Sequence, residues 1–142
     1  MAAAYSSKLG GAKAFGKRID VSPKHVMEIC RHIKGMNVKK ADEYLAKVQK
    51  KEAYVPLKRY NKQTPHRTGG QPGRYHVKAA KIMQLLLANA VNNAEQKGMD
   101  KEKLRIVHAS AHRGPAYARK KPKGRWSYQQ IDTAHIEIIV NA

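Results

Sequence analysis

Cysteine is almost absent from this chain, and patterns typical of secretion or membrane insertion are missing as well. Cys30 is the single cysteine among 142 residues, so no intrachain disulfide can form and nothing indicates an oxidising compartment. The first residues lack the apolar core of a signal peptide, and the apolar run at 85–88 is too short to cross a membrane. We therefore expect a cytoplasmic protein without a membrane partner.

Acidic residues are also scarce, because ten Asp and Glu stand against 29 Lys and Arg, a formal net charge of +19. No carboxylate occurs between Glu52 and Glu95 or between Glu102 and Asp132, and both intervals are rich in Lys and Arg. A compact chain with so much uncompensated charge repels itself unless a partner of opposite charge relieves the repulsion. The segregated cations predict a polyanionic partner that is bound through its phosphate backbone.

Aromatic residues make up only 6% of the chain, but 42% of the residues are hydrophobic, which is enough for one modest aliphatic core. We expect a single domain over 1–142 with a flexible tail over 1–11. Residues 13–21 alternate as in a strand. Ser22 and Pro23 then predict a helix start, because a Ser side chain caps free N–H groups and Pro fits the first helical position.

A second helix follows Asn37 as its cap and ends before Pro56. The apolar period from about 76 to 97 predicts a third helix, and 104–109 and 134–140 alternate as strands. The chain is thus expected to be an α+β protein. Three helices pack on a small three-stranded antiparallel sheet, from which a long basic β-hairpin protrudes.

The hairpin, expected over 111–131, is the most informative stretch of the sequence. Six cations and no acid lie between Ala111 and Trp126, and the apolar alternation fades between Ser110 and Ile131. We expect this arm to be mobile until a partner orders it, although a plainly solvated charged loop is the alternative. Arg side chains fork onto phosphates, Lys side chains act as point charges, and Tyr117, Tyr128 and Trp126 suit stacking on unpaired bases. Stacking favours structured RNA over duplex DNA.

A second basic region, the loop over 57–75, mixes cations with Tyr and His, and irregular loops of this length usually have a function. Its Gly-rich part is not a nucleotide-binding loop, because Arg74 and Tyr75 stand where such a loop has Lys and then Ser or Thr. The residues expected to contact RNA carry cationic or aromatic side chains in these regions: Lys13, Lys17, Arg18, Lys24, Lys58, Arg59, Tyr60, Lys62, His66, Arg67, Arg74, Tyr75, His112, Arg113, Arg119, Lys120, Lys121, Lys123, Arg125 and Trp126.

No catalytic or metal-binding pattern emerges. Seven histidines have no accompanying thiol cluster and no His-Glu-x-x-His motif, and they are interpreted as surface or RNA-contacting groups: His25, His32, His66, His76, His108, His112 and His135. No carboxylate shows the paired spacing of an acid–base site, and Cys30 lies on the apolar face of the first helix. We expect no enzymatic activity, no metal and no cofactor.

Six blocks of the sequence, taken in order, form a specific pattern. They are Ser22-Pro23-Lys24; Ile33-Lys34-Gly35-Met36 with Lys39-Lys40-Ala41; Val55-Pro56-Leu57-Lys58-Arg59-Tyr60-Asn61; Leu87-Ala88-Asn89-Ala90-Val91-Asn92-Asn93-Ala94-Glu95; Gly114-Pro115; and His135-Ile136-Glu137-Ile138. Together they resemble the universal large-subunit ribosomal protein L-twenty-two family, in its archaeal and eukaryotic branch, and the resemblance runs from about Ala12 to Val140.

The resemblance implies a structural constituent of the large ribosomal subunit that binds its RNA and supports assembly. It also implies neighbouring ribosomal proteins and the nascent polypeptide as partners, with no homo-oligomer, and the 57–75 loop as the insertion of this branch. The hairpin tip is expected to line the polypeptide exit tunnel, through Tyr117, Arg119, Lys120, Lys121, Pro122, Lys123, Gly124 and Arg125.

Two other classes of function remain open from the residues alone. An architectural DNA-binding protein with a groove-inserting arm fits the charge and the hairpin, but leaves the 57–75 loop without a role. An RNA-processing nuclease needs a metal or an acid–base pair that the sequence does not reveal.

Overall fold

A computed structural model describes residues 6–121 and 127–142 and shows an α+β fold. Three helices and antiparallel strands were expected, and both are confirmed. In chain order the elements are β1 (Ala12–Ile19), α1 (Pro23–Ile33), α2 (Val38–Gln49), β2 (Val55–Pro56), β3 (Gly73–Arg74), α3 (Val77–Gln96), β4 (Arg105–Arg113), β5 (Tyr117–Lys120), β6 (Tyr128–Ile131) and β7 (Ala134–Asn141).

The central sheet has the order β1-β7-β4, and both pairs are antiparallel. β7 lies in the middle, so its backbone is paired on both sides and its aliphatic residues are buried. Because side chains alternate along a strand, Ile136, Ile138 and Val140 face the helices, whereas Glu137 faces the opposite side of the sheet. That opposite side is where a polar cluster forms.

The apolar stripes predicted for the helices form the core. Ile29 and Ile33 of α1 and Met83 and Leu87 of α3 are almost fully buried against the sheet. Cys30 is buried as well, which confirms its assignment to the core, and burial raises the pKa of its thiol to about 12.

Of the two N-terminal caps predicted from the sequence, the cap of α2 is confirmed and the side-chain cap of α1 is not. The Asn37 side chain accepts a hydrogen bond of 2.9 Å from the Lys39 N–H, as predicted for α2. The predicted side-chain cap at Ser22 is wrong, because no such bond forms there. The backbone carbonyl of Ser22 already accepts the N–H groups of His25 and Val26, so the hydroxyl is not needed for them.

The loop over 57–75 is irregular for most of its length, but its two ends are tied together. β2 pairs with β3 in a two-stranded ribbon, and the Leu57 N–H donates to the Pro72 carbonyl at 2.9 Å. Gly73 permits this closure, because a Cβ there would collide with the ring of Tyr54. The loop is therefore held at its base.

The arm begins where the central sheet ends. β5 pairs with β6 in the register Tyr117↔Ile131 to Lys120↔Tyr128, and the Gly114 N–H donates to the Thr133 carbonyl at the base. The expected tip residues Pro122, Lys123, Gly124, Arg125 and Trp126 lie outside the described residues. The mobility of the free arm stays a prediction.

The N-terminal stretch touches the outer face of the sheet. The Ser6 N–H and hydroxyl donate to the two carboxylate oxygens of Glu137, at 2.9 and 2.8 Å. The chain is thus held at Ser6, within the segment expected to be a tail.

Candidate nucleic-acid interface

The described part of the arm exposes cations and aromatic rings to solvent. Arg119, Lys120 and Lys121 are exposed, and the rings of Tyr117 and Tyr128 are 46% and 61% exposed. Lys120 stands opposite Tyr128 in the strand register, which places a cation and an aromatic ring side by side on one face. This combination suits a phosphate and an adjacent base.

The base of the arm is closed by an ion pair. The Arg113 guanidinium donates to the Asp132 carboxylate at 2.9 Å, and the Gln130 amide donates to the same oxygen at 3.0 Å. The hydrogen bond from Arg113 lowers the pKa of Asp132. At least one N–H group of the Arg113 guanidinium is therefore bonded within the protein and is not available to an external phosphate.

The basic loop brings three of the predicted residues together at the start of α1. The Lys24 ammonium lies 4.5 Å from the centroid of the Tyr60 ring, and the Arg59 guanidinium lies 5.3 Å from it. Tyr60 has a left-handed backbone with φ of 54°, which is unusual for a bulky residue, and it is 62% exposed. Lys24, Arg59 and Tyr60 form one cationic-aromatic surface.

Sequence reasoning missed Glu28, the residue that holds this surface in place. Its carboxylate is only 5% exposed and accepts the backbone N–H groups of Lys58 and Arg59, at 3.3 and 3.0 Å. Arg31, one helical turn later, pairs with the same carboxylate at 3.2 Å. A Glu on a helix is usually solvated, so the signal in the sequence was only its place on the buried face of α1, between Val26 and Ile29.

Farther along the loop, the predicted residues divide into anchors and exposed groups. Arg67 donates to the Gly73 carbonyl at 3.1 Å and lies 4.9 Å from the Tyr75 ring centroid, so it stabilises the loop itself. Lys62, His66 and Arg74 are exposed.

The edge strand β1 contributes a further group of cations. Lys17 and Arg18 are exposed where a bulge interrupts the pairing with β7, and Arg18 has a left-handed φ of 55°. The Arg18 guanidinium lies 5.8 Å from the Tyr117 ring centroid, which links this edge to the arm. Lys13 instead donates to the Ser7 carbonyl at 3.4 Å.

His112 lies in the polar cluster on the outer face of the sheet, not on the arm. Its Nε2 is 3.9 Å from the Glu137 carboxylate, and the Nε2 of His108 is 3.7 Å from it. The Ser110 hydroxyl also donates to Glu137, at 3.4 Å. Glu137, which is 2% exposed, is the second buried carboxylate that the sequence did not reveal.

Of the seven histidines interpreted as surface or RNA-contacting groups, His76 is not at the surface, since it is only 7% exposed. Its ring stacks on that of His25 with the centroids 4.0 Å apart. Burial, followed by the charges of His25 and Arg74, lowers the pKa of His76 to about 4. Within 6–121 and 127–142, no group of three or more His, Cys, Asp or Glu is arranged to hold a metal ion.

The predicted residues therefore lie in several patches around the start of α1 and the arm. The end of the basic loop, at Tyr75, and the base of the arm, at 129–132, line one common cleft.

Among the described helices, none combines the length and apolar character needed to cross a bilayer.

Comparison with known proteins identifies the family to which the chain is related. The family model described as ribosomal protein L22p/L17e matches residues 14–141. A protein from Methanococcus aeolicus is 41% identical over 134 residues, covering 91% of this chain and 88% of its own length. One from Methanopyrus kandleri is 41% identical over 135 residues, with 91% and 85% covered, and one from Methanococcus maripaludis strain C5 is 42% identical over 134 residues, with 91% and 88% covered.

All three relatives carry the name large ribosomal subunit protein uL22. The match covers most of both chains, and it confirms the resemblance inferred from the six sequence blocks. The chain belongs to the ribosomal protein L22p/L17e family.

Proposed function

We propose that this protein is a structural constituent of the large ribosomal subunit that binds large-subunit ribosomal RNA and supports subunit assembly. The arm and the loop over 57–75 bind the RNA, and the tip of the arm lines the polypeptide exit tunnel. Family membership and the names of the relatives support the ribosomal role. The protein works in cytoplasmic ribosomes as a binding protein without enzymatic activity.

The observation that carries the RNA-binding proposal is the composition of the arm surface. All the described residues of β5 are exposed, and none packs into the core, so the pairing of β5 with β6 contributes nothing to the apolar interior. Natural chains rarely maintain an exposed cationic ribbon for stability, since like charges on adjacent strands repel. A polyanion that surrounds the ribbon removes that repulsion.

The mechanism is electrostatic. Arg119 and the exposed lysines that follow it neutralise phosphates where RNA helices converge, and the release of condensed counterions drives association. Tyr117 and Tyr128 add stacking on unpaired bases, which a duplex does not offer. The cationic surface of Lys24, Arg59 and Tyr60 provides a second contact on the body of the protein.

Beyond RNA, the partners are the ribosomal proteins around the tunnel and its exit, together with the nascent polypeptide that passes the tip. The tip residues proposed to face the tunnel run from Tyr117 to Arg125. The protein acts as a single copy in each subunit.

Replacing Arg119, Lys120, Lys121 and Lys123 with Ala tests the RNA-binding proposal. Each phosphate contact contributes about 0.7 to 0.9 to the slope of log affinity against log salt, so the loss of four contacts flattens the slope by roughly 3. A matched control replaces four exposed lysines in or directly after α1 and α2, Lys34, Lys40, Lys47 and Lys50, with Ala. Equal effects of the two variants on binding to a large-subunit RNA fragment would contradict the proposal.

Competition with duplex DNA separates this function from that of an architectural DNA-binding protein. The RNA fragment should displace the duplex at equal phosphate concentration, because the arm and loop present stacking side chains. Displacement of the RNA by the DNA would favour the alternative.

A further inference from the structure

We propose that the cleft at the base of the arm binds a phosphate group of the RNA backbone and thereby fixes the arm relative to the body of the protein. This inference rests on the proposed RNA-binding function and assigns it a specific site. The cleft has a volume of about 620 Å³ and is built from three parts of the chain. These are the connection before α1, the first turn of α3, and the strand β6 of the arm.

Two helices begin at this cleft, and neither has a side-chain cap. α3 is 20 residues long, and no acidic residue occupies its first turn or that of α1. Within the described chain, no acceptor is bonded to the N–H groups of Val77, Lys78 and Ala79. Free N–H groups at the positive end of a helix bind anions such as phosphate, sulfate and carboxylate.

His76 provides an independent indication of a ligand. It immediately precedes α3, lines the cleft and is almost fully buried, yet its Nε2 has no hydrogen-bond partner among the described residues. A buried polar atom without a partner is costly, at about 1–3 kcal/mol, so such an atom beside a cleft indicates a group that satisfies it on binding. The oxygen of a phosphate accepts a hydrogen bond from a ring N–H.

The electrostatic environment of the cleft also favours an anion. His25 stacks on His76, and burial followed by the charges of Arg74 and Lys24 lowers the pKa of His25. Both cations therefore act at the site, since they disfavour an additional proton on the ring.

Two carboxylates line the cleft as well, but each is already paired. Asp20 accepts the Lys78 ammonium at 2.8 Å, and Asp132 accepts the Arg113 guanidinium at 2.9 Å. Both pairs are exposed, so the Lys78 side chain is able to turn from Asp20 to a phosphate at little cost. When Lys78 turns to the phosphate, Asp20 gives up its partner, whereas Asp132 keeps Arg113.

The cleft lies between the arm and the body of the protein, so a phosphate bound there contacts both. Gln129 and Gln130, on β6, line the same cleft as the first residues of α3. A phosphate held by the α3 N–H groups is thus next to the amide side chains of the arm. RNA bound here adds a connection between the arm and the body to those at Gly114 and Asp132 and to the contact of Arg18 with Tyr117.

Titration of the full chain with inorganic phosphate, followed by amide and imidazole NMR at constant ionic strength, tests the site directly. The signals of Val77, Lys78, Ala79 and His76 should shift saturably. Lys78→Glu should weaken phosphate binding by about tenfold, because it places an anion at the anion site while still favouring the helix start. Lys81→Glu is the matched control, since it makes the same charge change one turn later at an exposed position outside the cleft, and it should weaken binding less than about threefold.

Binding of a large-subunit RNA fragment by the same variants identifies the source of the phosphate. Lys78→Glu should reduce RNA affinity several-fold more than Lys81→Glu. Equal losses, or phosphate shifts elsewhere than the start of α3, would overturn the site. If RNA binding still depends on the arm lysines in that case, only the cleft proposal fails; if RNA binding does not depend on them, the proposed function fails.

Discussion

Glu28 and Arg59 are 31 positions apart in the chain, yet the buried carboxylate of the first accepts the backbone N–H of the second at 3.0 Å. The same carboxylate accepts the N–H of Lys58. One side chain of α1 therefore determines the course of the basic loop at its first turn. The exposed ring of Tyr60, which follows directly, takes its position beside Lys24 from this anchor.

Replacing Glu28 with Ala should destabilise the protein by roughly 1–3 kcal/mol, because two backbone N–H groups and Arg31 lose their acceptor. Urea denaturation measures the change in the free energy of unfolding. Hydrogen exchange should accelerate at Lys58 and Arg59 but not in α3. Glu28→Gln keeps one acceptor oxygen and should lie between the wild type and Ala; protection at Lys58 and Arg59 that survives in Glu28→Ala would contradict the anchor.

Elements whose signals are local could be predicted from the sequence. The Asn37 cap depends only on the residue two positions later, and the stripe of Met83 and Leu87 depends only on helical spacing. Glu28 and Glu137 could not be predicted, since the segments that contact each carboxylate include ones 25 or more residues away along the chain. The charge of the arm was visible in its composition, but its closure by Arg113 and Asp132 depends on strand register, which the sequence leaves undetermined.

The contact between Ser6 and Glu137 holds the first described residue of the chain on the outer face of the sheet, as a strap ahead of β1. Ser6→Ala removes the hydroxyl donor and should lower the free energy of unfolding by about 1 kcal/mol. Limited proteolysis should then cleave the N-terminal stretch faster. Ser7→Ala is the control, because the Ser7 hydroxyl only accepts the nearby Leu9 N–H. Equal cleavage rates in the two variants would show that the strap is not held through Ser6.

His76 should make the protein less stable in mild acid. Its pKa is about 4 in the folded protein against an ordinary value of 6.5, so the unfolded chain binds the proton more tightly. His76 therefore does not change the free energy of unfolding above pH 6.5. As the pH drops from 6.5 to 4, its titration should lower that free energy by on the order of 2 kcal/mol. Urea titrations in phosphate-free buffer measure this decrease.

The variant His76→Phe separates His76 from the other histidines. It keeps a ring to stack on His25 and removes the titrating group, so the decrease between pH 6.5 and 4 should become shallower. Some decrease should remain, because burial also lowers the pKa of His25 and His32. His66→Phe makes the same replacement at an exposed position and serves as the control for the substitution itself, so it should keep the steep decrease. An identical profile for wild type and His76→Phe would show that His76 is not the group responsible.

Tyr128 should contribute to RNA binding through its ring rather than its hydroxyl. The ring is exposed beside Lys120 on the arm and has no role in the core, so its loss should not destabilise the fold. Tyr128→Ala should weaken binding to a large-subunit RNA fragment by about 1–3 kcal/mol, the range for a base stacked on an aromatic side chain, whereas Tyr128→Phe should bind nearly as well as the wild type. Filter binding over a series of salt concentrations measures the affinity of each variant and its salt slope. Because stacking neutralises no phosphate, the salt slope should stay constant in Tyr128→Ala; a changed slope with unchanged affinity at low salt would assign this face of the arm to phosphate contacts alone.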